Sequence, residues 1–139
     1  MVLRTFIPIV IFMVLSHAAD SSAQESWSPR IFKGFDGTHC ETTKAELDLV
    51  AQTVGRDKTV IIIARLSAGE ASRTINRRRL GGLRDYLESV RAFPPDKLIT
   101  AEGERVRGLG QVELYVGGEL FMVFTLNRNK DFWRGCSTA

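Results

Sequence analysis

"KTVIIIARLSAGEASRTINRRRLGGLRDYLESVR", residues 58–91, changes its hydrophobic period halfway along. Lys58 to Leu66 is a nearly continuous β-branched run, the composition of a central strand covered or paired on all sides. After a "SAGE" loop, Ile75, Leu80, Leu83, Tyr86, Leu87 and Val90 recur at the spacing of one helical face, predicting a helix over about 71–91. Arg73, Arg77, Arg84 and Arg91 cluster along one flank of that face, within reach of water. Arg79 falls inside the apolar stripe, between Ile75, Leu83 and Tyr86, with Asn76 close by. A strand, a short loop and a long helix that buries one face call for a sheet with helices laid against it.

Working outward, Lys44 to Val54 reads as a short amphipathic helix, capped by Thr42 or Thr43 and ended by Gly55. "RIFKGF" (30–35) fits a first edge strand or an extended lead-in. On the other side "FPPDK" stops the long helix, because proline disfavours helical geometry in the residue before it. Leu98 to Val106 is the next strand and its exit. "QVELYVGGELFMVFTL" (111–126) carries a Gly117-Gly118 turn of the two-residue hairpin kind, a register that sets Leu114 opposite Phe121 and Val112 opposite Val123. Gly81 and Gly82, inside the long helix, cost roughly 1 kcal/mol each against alanine and suggest close packing against the sheet, with helix flexibility as the alternative. The expected fold class is α+β, a two-layer sandwich of a mixed sheet with helices on one face.

The chain has 139 residues, 19 Lys and Arg against 16 Asp and Glu, and a net charge of +3. Its first residues have the build of a secretory signal. Arg4 is followed by the apolar run "FIPIVIFMVL" (6–15), too short to span a bilayer, and then by small residues. Cleavage fits after Ala23, with Ala18 as the earlier site. The domain plan is a signal over 1–23 and one domain over 24–139, enough for a single core. Export implies a periplasmic or secreted protein with no stable membrane insertion once the signal is removed. In an oxidising compartment Cys40 and Cys136 are expected to pair, stabilising the fold by roughly 4 to 5 kcal/mol in the chain-entropy model. The rival, a thiol at Cys40 activated by His39, requires a reduced cysteine.

Six arginines between Arg73 and Arg91, against Asp85 and Glu88, hold most of the positive charge. Such a patch suits an anionic partner or a simple solvated face. Enzymatic chemistry is not legible. Beyond the signal there is a single histidine, so no metal site assembles at usual spacings, and no Gly-x-Ser-x-Gly elbow occurs. Gly108-x-Gly110 leads into a strand, so it offers no helix N-terminus to a phosphate. No cofactor and no nucleic-acid partner are expected.

With strand, helix and second strand in place, residues 59–118 resemble the peptidoglycan-associating OmpA-like domain. In that family a strand leads through a loop bearing an aspartate to a helix beginning Leu-Ser-x-x-Arg-Ala. Ile75, Asn76, Arg79 and Leu80 fall on those positions. Pro94, Lys97 and Leu98 match the following strand, whose glycine, Gly103, arrives one residue late. Val112 and Glu113 match the final one. The resemblance implies a helix arginine and a loop aspartate that clamp the zwitterionic end of a diaminopimelate side chain in peptidoglycan. Arg79 would bind the ligand's carboxylate through two parallel hydrogen bonds. The family aspartate falls at or near Ser67, which is uncharged, and Glu70 is the carboxylate placed to replace it. The expected site is therefore Arg79 with Asn76, Glu70 and Ser67, in a non-enzymatic envelope protein that binds peptidoglycan or another anionic cell-wall ligand. The alternative is a degenerate OmpA-like domain acting as a protein-interaction or structural module.

Overall fold

The computed structural model describes residues 28–133. The expected signal over 1–23 and Cys136 lie outside the described residues. Seven regular elements follow one another: β1 (Arg30–Phe35), α1 (Cys40–Val54), β2 (Val60–Arg65), α2 (Arg73–Asp85), β3 (Leu98–Glu102), β4 (Gly110–Val116) and β5 (Glu119–Leu126). The strands form one mixed sheet in the order β1-β5-β4-β2-β3, with β2 parallel to β3, β1 parallel to β5, and antiparallel pairing elsewhere. Both helices lie on one face, so the protein is the α+β two-layer sandwich that the sequence predicts.

The core sits between the layers. Val60, Ile62 and Ala64 of β2 alternate inward, beside Val112, Leu114 and Val116 of β4, and meet Leu80 and Leu83 of α2 and Leu47 and Val50 of α1. The same core continues through Phe32, Phe35, Phe124 and Phe132, whose neighbouring ring centroids lie 5.1 to 5.6 Å apart. Stacked and edge-on aromatic contacts of this kind add to the simple burial of area. "RIFKGF" is thus a true edge strand, held to the sheet through its phenylalanines.

Several local expectations change. The first helix starts at Cys40, four residues early, because Asp36 organises the turn before it. Its carboxylate accepts from the Thr38 backbone N–H at 3.0 Å, and a 3-10 turn over Gly37–His39 feeds the helix without a threonine cap. α2 is capped by the Ser72 hydroxyl and gives way after Asp85 to one wider π turn, Tyr86–Val90. That turn carries Tyr86 to α1, where its hydroxyl donates to Asp48 at 2.8 Å beside the Arg91–Asp48 ion pair. The strand after "FPPDK" ends at Glu102, leaving Val106 in an isolated bridge to Ser67.

The hairpin register also shifts. Gly117 and Gly118, at φ 58° and 90°, make the expected tight turn and pair Val116 with Glu119. A bulge in β5, opposite the Leu114–Tyr115 step of β4, then moves the pairing one step, so Leu114 faces Met122 and Val112 faces Phe124. The bulge leaves Phe121 without an opposite number. From there on it keeps the large residues of β5 on the core side.

The helix glycines divide. A Cβ on Gly82 would run into the Trp133 indole, so the close packing is against the chain's last described residues, not the sheet. A Cβ on Gly81 would meet open space.

Candidate functional site

The "SAGE" loop closes between the end of β2 and the start of α2, and it brings Ser67, Glu70 and Arg79 together. Arg79 is 0% exposed and is the largest fully buried side chain among the described residues. Its Nη2 donates to Glu70 Oε1 at 2.6 Å, its Nη1 to Oε2 at 3.2 Å, and its Nε to the Lys130 carbonyl at 2.9 Å. Every nitrogen of the guanidinium has a protein acceptor. Glu70 is saturated in turn, since Oε2 accepts from the Ser67 N–H at 2.9 Å and Oε1 from the Asn129 N–H at 2.8 Å. Burial pushes the Glu70 carboxyl up, but the Arg79 fork and the two backbone donors outweigh it and hold the group below the usual carboxylate range.

The pair is fixed from every side. Arg105 donates to the Ser67 carbonyl at 2.8 Å and to that of Glu70 at 2.5 Å, and Arg128 donates to the Gly69 carbonyl at 2.9 Å. Gly110, the first residue of β4, lies directly over the pair. A Cβ there would stand 2.6 Å from Arg79 Nη1 and collide with Glu70 Oε2. The Gly108-x-Gly110 stretch therefore has a packing reason at its second glycine. These contacts pull three distant segments, 67–70, 110 and 128–130, onto one helix residue.

Of the four expected site residues, Ser67, Glu70 and Arg79 are brought together, with the Arg79 fork turned inward onto the Glu70 carboxylate. Ser67 contributes its backbone, not its hydroxyl, to the contacts described. Arg79 is not among the residues that line the polar cleft next to it.

Asn76 does. One turn N-terminal to Arg79 and 1% exposed, it donates from Nδ2 to the Ala64 carbonyl at 3.1 Å. A carbonyl can only accept, so this bond fixes the amide orientation. Asn76 Oδ1 is then left buried with no donor. An unpaired buried acceptor costs roughly 1 to 3 kcal/mol, which makes it an exception to be explained. The Asn76 residue borders a polar cleft of about 270 Å³ at the C-terminal ends of β2 and β3. Leu66 and Gly103 join Asn76 in the wall, and Arg73, Glu102, Glu104 and Arg105 supply two charges of each sign.

Arg73, Glu102 and Glu104 are exposed side chains, as the sequence predicts for Arg73. Their convergence with Asn76 on one cleft has no signature in the sequence. Arg105 gave no periodic signal, since it lies past the end of β3, where the parallel pairing of β2 and β3 brings it beside the helix start. Among the described residues no cluster of three or more His, Cys, Asp or Glu stands ready to hold a metal ion. No helix among them is long and apolar enough to cross a membrane. Comparisons with protein-family models, curated proteins and solved structures find no match for this chain.

Proposed function

We propose that this chain is an exported, non-enzymatic envelope protein of OmpA-like build that binds a cell-wall ligand in the cleft beside Asn76. The observation that carries this reading is the buried, donorless Oδ1 of Asn76, a residue that lines a cleft together with two arginines and two glutamates. A ligand group with an N–H or O–H would satisfy that oxygen, while Arg73 and Glu104, both exposed at the rim, suit a carboxylate and an ammonium. Peptidoglycan stem peptides present such groups together. The order β2, loop, α2, β3 and the inward arginine support the likeness that suggested this ligand class.

The binding residues in this reading are Asn76, Arg73 and Glu104, and Arg79 acts one step back. Its pair with Glu70 fixes the loop on one side of the cleft, and Arg105 ties that loop to the cleft wall. Co-sedimentation of the mature protein with purified sacculi tests the proposal. Arg73→Glu and Glu104→Lys, both at exposed positions, should each reduce the bound fraction severalfold without altering the melting temperature. Equal sedimentation of wild type and both variants, or none by any of them, would remove the cleft from the account.

A second reading has its own support. The mutual neutralisation of Arg79 and Glu70 removes the arginine that the family would offer to the ligand. A degenerate domain working as a protein-interaction module would keep that pair for stability alone.

A further inference from the structure

We infer that the cleft beside Asn76 takes the carboxy-terminal residue of a peptide, with its amide N–H on Asn76 Oδ1 and its free carboxylate on Arg73. The inference rests on the cell-wall reading above and names which end of a stem peptide enters the site. The Ala64 carbonyl receives the Gly103 N–H at 2.9 Å as well as Asn76 Nδ2 at 3.1 Å. Turning the Asn76 amide over would set two acceptors against each other and strand its donors. Oδ1 is therefore a fixed acceptor, buried and without a donor.

The charges of the cleft are unequally committed. Arg105 is engaged by the Ser67 and Glu70 carbonyls, and Glu102 lies 4.0 Å from Arg77 Nε. The Arg73 and Glu104 side chains have no partner among the described residues. Arg73 stands three positions before Asn76, one turn back on the same helical face. It is also the first residue of α2, where the helix dipole favours an anion.

A donor for Asn76 and a carboxylate for Arg73 are thus called for within one helical turn. The last residue of a peptide carries both on a single carbon. A sugar hydroxyl would satisfy Oδ1 and leave Arg73 unpaired, and an internal peptide bond supplies no carboxylate. An ammonium on Oδ1 would set a second cation one turn from Arg73, whereas an amide N–H adds no charge there. Glu104 is left for an amine or basic side chain further back along the peptide.

Calorimetric titration of the exported protein with three forms of one probe tests the inference, alongside co-sedimentation with sacculi. The probes are Nα-acetyl-Lys-Ala-Ala with a free carboxylate, its carboxy-terminal amide, and the ester in which oxygen replaces the last N–H, each with D- and with L-alanine. The free acid should bind best and the other two about tenfold more weakly, the scale of one hydrogen bond. Arg73→Gln, at an exposed position, should erase the preference for acid over carboxamide and keep the preference for amide bond over ester. Sacculus binding by a protein that takes no probe, or that is indifferent to either change, would overturn the inference and leave the cell-wall reading in place. Binding to neither sacculi nor probes would overturn both.

Discussion

Arg79 and Glu70, nine positions apart, form a two-pronged ion pair with both side chains 0% exposed, and it closes the loop between β2 and α2. Burying two charges costs several kcal/mol each, and the attraction offsets this only when the remaining donors and acceptors are also matched. The Ser67 and Asn129 amides and the Lys130 carbonyl supply that match. Two consequences of this pairing can be measured.

Arg79→Ala should destabilise the fold by about 3 to 5 kcal/mol, because it strands the Glu70 carboxylate without its partner. Arg79→Met combined with Glu70→Leu should recover most of that loss, giving strong non-additivity in a double-mutant cycle. Urea unfolding of the four proteins measures it. Additive single effects would mean that the two residues do not act as a pair.

Acid should loosen the protein through Glu70. Its folded carboxyl titrates below the ordinary value of 4.5, so its stabilisation is complete above that pH and fades as pH falls through the lower folded value. Asp36, held down chiefly by hydrogen bonds from Thr38, acts in the same direction. Unfolding midpoints should be flat near neutrality and decline below about pH 4.5, with a shallower decline in the Arg79→Met, Glu70→Leu double variant. Identical slopes in the two proteins would refute the assignment to Glu70.

The adjacent glycines of α2 should respond with opposite signs. Gly81→Ala places its Cβ in open space and should raise stability by up to about 1 kcal/mol through helix propensity. Gly82→Ala drives its Cβ into the Trp133 indole and should lower stability by about 1 to 3 kcal/mol. Thermal melts of the two variants decide it, and a stabilised Gly82→Ala would show that Trp133 does not pack there.

The expected Cys40–Cys136 bond is open to a direct mass measurement. Alkylation of the unreduced exported protein should leave both thiols unmodified, and prior reduction should make both reactive while lowering the melting temperature. Modification of both cysteines without reductant would rule the bond out.

The sequence by itself determined the sandwich. Period and composition set β2, α2 and the Gly117-Gly118 hairpin, since alternation, 3.6-residue spacing and turn chemistry are local properties of the chain. It also marked Arg79, because a guanidinium inside an apolar stripe needs a partner wherever the helix packs. It did not fix which partner. That depended on a three-residue turn bringing Glu70 back, on Gly110 leaving room overhead, and on the backbone at 128–130 arriving from the end of β5. The hairpin bulge was hidden for a related reason: Phe121 and Met122 are both buried in the core, so the turn chemistry alone does not show which of them stands opposite Leu114. The cleft beside Asn76 joins positions from 66 to 105 that share no period. Only the parallel pairing of β2 with β3, which sets the ends of both strands against the start of α2, places those charges around one unpaired amide oxygen.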